Sequence, residues 1–422
     1  MIKFLLKGIL RDRSRSLLPI IIVTMGAFLA VIMYTFMEGG IGGMIETSAR
    51  FNTGHVRIMT NAYYKIQDQV PNDLALIEVS PLLEKLQTTY PDFRWMTRIQ
   101  FGGLLDVPDE NGETLKQGPV VGTAIDFSSN VGSEIMKIKQ GLVSGALPTK
   151  PFEILISEQF ANKLGLKIGD SVTLLTSTIN GSMAFANFIV SGFLSFGINA
   201  MDRGTIIADI KDIQSVLDMP DGASDVLGFA SNMIYDDKKM VETAKKFNVT
   251  FGNAEDEFAP IMLSLGEQDG LDEMLGYADA AGSIIVGLFV FAMAIVLWNS
   301  GLMGNLRRYG EIGIRLAMGE PKGFIYRAMI LESCMIGIIG SIIGTIIGLF
   351  CAYLLEIYGL DYGALMQNST MMMENVMRAK VTPFAFVIGF LPGVFAPALG
   401  AIFAGIGIYK RQTASLFKEL EV

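Results

Sequence analysis

The chain has 422 residues, of which 51% are hydrophobic and 18% charged, with a mean hydropathy of +0.44 and a formal net charge of −9. It is too apolar for an ordinary soluble domain and too charged for a continuous helical bundle. The acidic balance excludes a nucleic-acid binder, which needs a basic face.

Residues 1–16 set Phe4, Leu5, Ile9 and Leu10 against Lys7, Arg11 and Arg15, which reads as an amphipathic helix on the cytoplasmic membrane surface; a disordered positive arm is the plainer alternative. The apolar run Leu17–Phe36 predicts a membrane helix over 17–39, since about 20 residues cross a ~30 Å hydrocarbon core. It is too long for a signal-peptide core, and Met37-Glu38-Gly39-Gly40 is a poor cleavage site, so a retained signal anchor is expected. No cysteine follows it, so the chain is not expected to be a lipoprotein itself.

A polar stretch over 40–275 is ample for a domain of its own. Alternation at His55–Met59, Phe152–Ser157, Ser171–Leu175 and Asn187–Phe193 predicts half-buried strands. Helices are expected at Pro81–Thr89 with Ser80 as N-cap, at Ser157–Leu164 closed by Gly165, at Ile210–Leu217 and at Lys238–Phe247. The mixture reads as α+β, without a regular βαβ rhythm or G-x-G-x-x-G. His55, the one histidine, has no companion ligand and reads as a strand residue rather than a metal site. Acid-rich Ala254–Phe258 reads as a solvated loop.

Three further apolar runs follow: Ile284–Leu302, Met329–Tyr353 and Phe384–Tyr409. They place membrane helices at 276–304, 325–356 and 383–409, with a cytoplasmic loop at 305–324, an outer loop at 357–382 and a tail at 410–422. A helical stalk over Leu271–Ala280 leads into the second span, and Trp298 falls near its cytoplasmic end. Cys334 and Cys351 share the third span, too far apart to bond each other. Gly340, Gly344 and Gly348 recur at i+4 there, and Gly389 and Gly393 do so in the fourth, which Pro392 and Pro397 should kink. Such ladders let helix backbones approach closely; glycines tolerated without a partner are the bland alternative. The outer loop carries Met371, Met372 and Met373, suited to a segment lying on the membrane or to apolar cargo.

Charge is segregated. The segment before Leu17, the loop after the second run and the tail together carry net +8, while the other non-spanning parts carry net −16. The positive-inside rule then puts both termini and the 305–324 loop in the cytoplasm and the large domain outside.

Within that loop, Leu306–Gly319 reads LRRYGEIGIRLAMG. Arg307, Arg308, Glu311 and Arg315 fall at helical spacing, as do Ile312 and Leu316, and Gly319 then Pro321 form a helix stop. From spacing, the segment is either a topological anchor or a docking helix for a soluble partner. Glu332 lies just inside the third span, where it can reach water or pair with Arg315 or Arg327.

The run Arg308-x-x-Glu311-Ile312-Gly313-Ile314, then Arg315, Ala317 and Gly319, followed by Leu331-Glu332, resembles the coupling segment of the FtsX/LolC/LolE/MacB permease family, the mechanotransmission ABC transporters. Gly54–Ile58, Ile154–Asp170 and Val190–Phe196 resemble pieces of that family's two-lobed periplasmic domain, nearest the LolC/LolE branch. The resemblance implies ATPase-coupling roles for Arg307, Arg308, Glu311, Ile312, Gly313, Arg315, Leu316, Gly319 and Glu332. It implies a four-span inner-membrane permease with a large extracytoplasmic α+β domain between its first two helices. The implied partners are two copies of a cytoplasmic ABC ATPase, a second identical or homologous permease, the lipid membrane, and a lipoprotein or other hydrophobic cargo. Efflux of hydrophobic compounds or peptides with a periplasmic adaptor, and FtsX-like activation of a cell-wall hydrolase, are the alternatives.

No G-x-x-x-x-G-K-[ST], G-x-S-x-G or metal-ligand cluster occurs, so the chain is not expected to be an enzyme or to hold a cofactor. ATP and Mg are expected on a separate partner.

Overall fold

The computed structural model describes residues 13–109, 112–197, 199–253, 255–268, 270–306, 309–361 and 376–410. Arg307, Arg308, most of the amphipathic segment 1–16, the methionines Met371–Met373 and the tail beyond Lys410 lie outside them. The chain divides into two compact units, one made of Met1–Gly43, Gly276–Leu360 and Val376–Val422, the other of Met44–Leu275 and Asp361–Asn375.

The first unit is helical. Among the described residues, four helical stretches are long and apolar enough to cross a membrane. The first helix runs Arg13–Ser48, the second Leu271–Leu306 and the third Lys322–Tyr358. The second is continuous from its stalk into its span. The fourth is assembled from Ala385–Ile388, a π-helical turn over Leu391–Phe395 and a longer helix over Ala396–Lys410. Pro392 sits inside the widened turn; its missing N–H removes one rung of the α ladder.

The second unit is built on ten strands: β1 (Val56–Thr60), β2 (Phe93–Pro108), β3 (Thr114–Ile125), β4 (Leu142–Gly145), β5 (Glu153–Ser157), β6 (Ser171–Ser177), β7 (Met183–Leu194), β8 (Thr205–Asp209), β9 (Asp225–Ala230) and β10 (Pro260–Ser264). Their order is β10-β1-β9-β2-β3-β8-β5-β7-β4, with β6 pairing both β2 and β7. The second pairing of β6 closes a ring: β2-β3-β8-β5-β7-β6 and back to β2. Two contacts in it, β3 with β8 and β5 with β7, are parallel. The long β2 belongs to both parts of the sheet. Phe93–Arg98 pairs with β9, and Leu104–Asp106 pairs with β6. One continuous core lies against both parts, including Val56, Phe101, Leu105, Leu174, Phe188 and Val226, all at most 1% exposed.

The expected strands and helices of this domain are present, and the mixed α/β domain inserted between the first two apolar helices is as the patterning anticipates. Two details differ. β1 and β5, expected to be half-buried, are buried along nearly their whole length, since both lie inside the sheet with core on each face. Ser80 is not an N-cap: the helix runs Val79–Thr89 with Glu78 at the cap position, left-handed at φ 55°. Ser80 lies within the first turn, and its N–H and hydroxyl both reach the Asp221 carboxylate, which supplies the acceptor that the cap would have offered. Gly165 does close its helix, at φ 77°.

His55 is buried just before β1. Its Nδ1 accepts the Ala230 N–H at 3.1 Å, and its ring lies 5.4 Å from Phe229 and 5.7 Å from Tyr235. Burial pushes its pKa down to about 4, so it is neutral at pH 7.

Candidate coupling site

Between the second and third spans lies a short helix, Tyr309–Ala317. It ends in a Schellman motif. The Glu320 N–H bonds to Arg315 O at 3.1 Å and the Gly319 N–H to Leu316 O at 3.1 Å, with Gly319 at φ 95°. A side chain at Gly319 would be strained by that φ, so glycine fixes the stop. Arg315 Nε then reaches Glu320 Oε2 at 2.9 Å, a cation beside the last-turn carbonyls where the helix dipole favours it. Pro321 is the N-cap residue of Lys322–Tyr358, so one turn of chain separates the two helices.

The short helix has three aspects. Ile312, 5% exposed, packs with Ile325, Met329 and Ala404, joined by Leu316 and Tyr326. Gly313 is also buried. Glu311 and Arg315 are half-buried and line a cleft with Ile325, Met329 and Glu332. The outer aspect is apolar and open: Ile314 is 48% and Met318 72% exposed, with exposed Ala317 between them. Those three sit at i, i+3 and i+4, the spacing of an apolar stripe on one helix face.

The structure therefore gathers Glu311, Ile312, Arg315, Leu316 and Glu332 into one seat against the third span. Arg307 and Arg308 lie outside the described residues. Charge spacing draws attention to Glu311 and Arg315 and misses Ile314, Ala317 and Met318. Their i, i+3, i+4 spacing was readable, but in so apolar a neighbourhood it does not stand out from core.

The glycines lie at close helix contacts within the helical unit. A Cβ on Gly340 would come 2.7 Å from Val23 Cβ; on Gly344, against Thr24 O and 2.8 Å from Ala27 Cβ; on Gly348, 3.0 Å from Val31 Cβ. All three partners are on the first helix. Gly389 would meet Thr345 Oγ1 at 2.8 Å and Ala27 O at 3.2 Å, and Gly393 would meet Ser341 Oγ. The second and fourth spans approach at Gly301 and Gly400, where an added Cβ would come within 3.0 Å of opposing backbone, and the Trp298 ring lies 5.5 Å from Phe403.

Four helices long and apolar enough to cross a membrane, a large inserted sheet domain and a capped helix between two of them fit a polytopic membrane protein with an elaborated extramembrane domain. Comparison with known families agrees. Residues 16–245 match the MacB-like periplasmic core domain, and residues 283–413 match the FtsX-like permease C-terminal domain. The chain belongs to the FtsX/MacB-type permeases of ABC transporters. Among curated relatives, it is 26% identical over 252 residues to the lipoprotein-releasing system transmembrane protein LolC of Xylella fastidiosa, covering 58% of each chain. It is 24% identical over 237 residues to an uncharacterized ABC transporter permease of Methanocaldococcus jannaschii, covering 56% of each. The chain thus spans little more than half the length of these relatives. A solved structure, the periplasmic region of MacB from Actinobacillus actinomycetemcomitans, aligns over 53% of this chain and 94% of its own, at 10% identity and a TM-score of 0.36.

Proposed function

We propose that this chain is the non-catalytic permease subunit of an inner-membrane ABC transporter that releases or exports lipoproteins. The observation that carries the reading is the outward stripe Ile314, Ala317 and Met318 on a helix seated by Ile312 and closed by Gly319. An apolar helix face read as i, i+3, i+4 suits insertion into a groove on a soluble partner. In a permease of an ABC transporter, that partner is the ATPase. Two ATPase copies, carrying ATP and Mg, close on nucleotide binding and move the helix. The spans pass the motion to the domain outside, and a second permease completes the assembly. Both termini are cytoplasmic and the sheet domain is extracytoplasmic, as the net +8 against net −16 charge split favours. The likeness to LolC supports lipoprotein as the cargo.

The test is purification from the native host in lipid nanodiscs, with identification of what copurifies. An ABC ATPase and acylated proteins are expected. An ATPase with a periplasmic adaptor and no lipoprotein would move the cargo to efflux, and absence of any ATPase would sink the transporter reading.

A further inference from the structure

The first membrane helix enters the sheet domain through a weak point. It passes Ser48, widens into a π-helical turn over Ala49–Thr53 and reaches Gly54 at φ 63° before β1 begins. A glycine is the residue best able to swivel, so displacement of the helix would be lost there if Gly54 were the sole link. It is not the sole link. Phe51 O accepts from Arg98 Nη1 and Asn52 O accepts from Arg98 Nη2, both at 2.7 Å. Arg98 lies on β2, beyond the glycine. The same guanidinium forks Asp225 on β9, Nε to Oδ1 at 3.0 Å and Nη2 to Oδ2 at 2.6 Å. Asp225 Oδ2 also accepts from Arg57 Nε on β1 at 2.7 Å, and Arg57 Nη1 bonds Gln67 Oε1 at 2.9 Å. Arg98 is 1% exposed, Arg57 4% and Asp225 0%. One carboxylate and two guanidiniums thus tie three adjacent strands to the carbonyls at the end of the helix.

A second tie lies beside it. The buried Gln268 side chain donates to Thr53 O at 3.2 Å and to Ser264 O at 3.0 Å, and the Leu265 N–H bonds to His55 O at 3.1 Å. The Leu271 N–H bonds to Gln268 O at 2.8 Å, where the second membrane helix starts. The end of one membrane helix and the start of the other therefore meet at one residue, Gln268, through its side-chain amide on one side and its backbone carbonyl on the other. Stability does not require ions here, since apolar residues of similar volume often serve a buried ion site as well or better. What a fork of charge-assisted bonds adds is fixed direction.

We propose that Arg98, Asp225 and Gln268 form a rigid joint that bridges Gly54 and hands displacement of the two membrane helices to the β1-β9-β2 sheet. These are positioning residues, and the inference rests on the transporter reading above.

The test uses the full chain with its copurified ATPase in nanodiscs. Cys334 and Cys351 are replaced by Ala, and spin labels are placed at Met44→Cys on the first helix and Lys245→Cys on the helix Asp237–Phe251. With the joint intact, one narrow distance distribution is expected, the same without nucleotide and with ATP-vanadate. Arg98→Lys keeps the charge beside Asp225 but not the fork, and Gln268→Met removes the amide at similar volume. Each should broaden the distribution and reduce lipoprotein release while ATP hydrolysis continues. Should Arg98→Lys fail to fold, Gln268→Met stands as the test. Variants with wild-type distance width and release would overturn the joint, as would a broad distribution in the parent. Failure of any ATPase to copurify strikes the transporter reading, and the transmission role with it, while the nucleotide-free distances still report the rigidity separately.

Discussion

At the scale of single residues, burial converts ordinary side chains into determinants of stability. His55 carries a pKa of about 4 in the fold against 6.5 in the unfolded chain. The unfolded state therefore binds the extra proton first as pH falls, and stability that is full above about pH 6.5 is lost towards pH 4. Between about pH 7.5 and 5.5 the loss from this group is on the order of 1 kcal/mol, from the linkage relation. Asp202 and Asp212, raised by burial despite backbone hydrogen bonds, push the opposite way at lower pH. Urea unfolding of wild type and His55→Gln at both pH values separates these contributions. The variant should show a shallower pH dependence by that amount; an identical slope would mean that His55 titrates alike in the folded and unfolded chains.

Gly344 offers the other residue-level test. A leucine there would drive Cβ into Thr24 O and Ala27 of the first helix, which are backbone and methyl and cannot rotate away. Overpacking of this kind costs roughly 1–3 kcal/mol, and in lipid the loss falls directly on helix association. Gly344→Leu should lower the melting temperature of the helical unit in detergent and leave the sheet domain's own transition in place. A wild-type melt would show that the spans repack without loss.

At the scale of elements, the short helix Tyr309–Ala317 separates the residues that seat it from those it presents. Ile312 and Leu316 are spent on the third span and Glu311 and Arg315 line its cleft, whereas Ile314 and Met318 are open. Ile314→Asp should therefore leave insertion and thermal stability unchanged, because the side chain is already 48% exposed. It should weaken ATPase binding by about 2 kcal/mol, roughly 30-fold, as loss of an apolar interface anchor does. Copurification at wild-type stoichiometry with full ATP-driven release would make the helix a topological anchor only. Glu320 is not an idle neighbour in such experiments. Its carboxylate holds Arg315 and its N–H closes the helix, although a pair this exposed is worth no more than about 1 kcal/mol.

For the whole molecule, orientation in the membrane is the deciding property, and the fold dictates where to probe it. The polar dipeptide Asp221-Gly222 looks like a loop in the sequence, yet Gly222 is buried and Asp221 caps the helix Val79–Thr89. The turn at Asn180-Gly181 between β6 and β7 is exposed, with Gly181 at φ 77°. A protease site inserted there should be cut from outside in spheroplasts, and one after Val422 should not. Protection of the Asn180 site would reverse the topology and remove the transporter reading.

Sequence alone determined the four spans, the charge split, the inserted mixed domain and the helix stop at Gly319 and Pro321. Each of these is local: a run of apolar residues, a count of charges, a period of two, or a glycine where φ must be positive. The same locality made most strand and helix positions legible in the sheet domain. What depends on distant residues was not legible. Ser80 has the chemistry of an N-cap, but only the fold brings Asp221 to that helix end instead. Nothing about β6 announces that it pairs with β2 as well as β7 and so closes a ring, because pairing partners are set by core packing and not by a strand's own pattern. Arg98 and Asp225 look in sequence like two isolated charges 127 positions apart. Only tertiary structure puts both in a place without water, where each must find the other and the carbonyls of Phe51 and Asn52, since a buried charge left without partners costs more than the fold can spare.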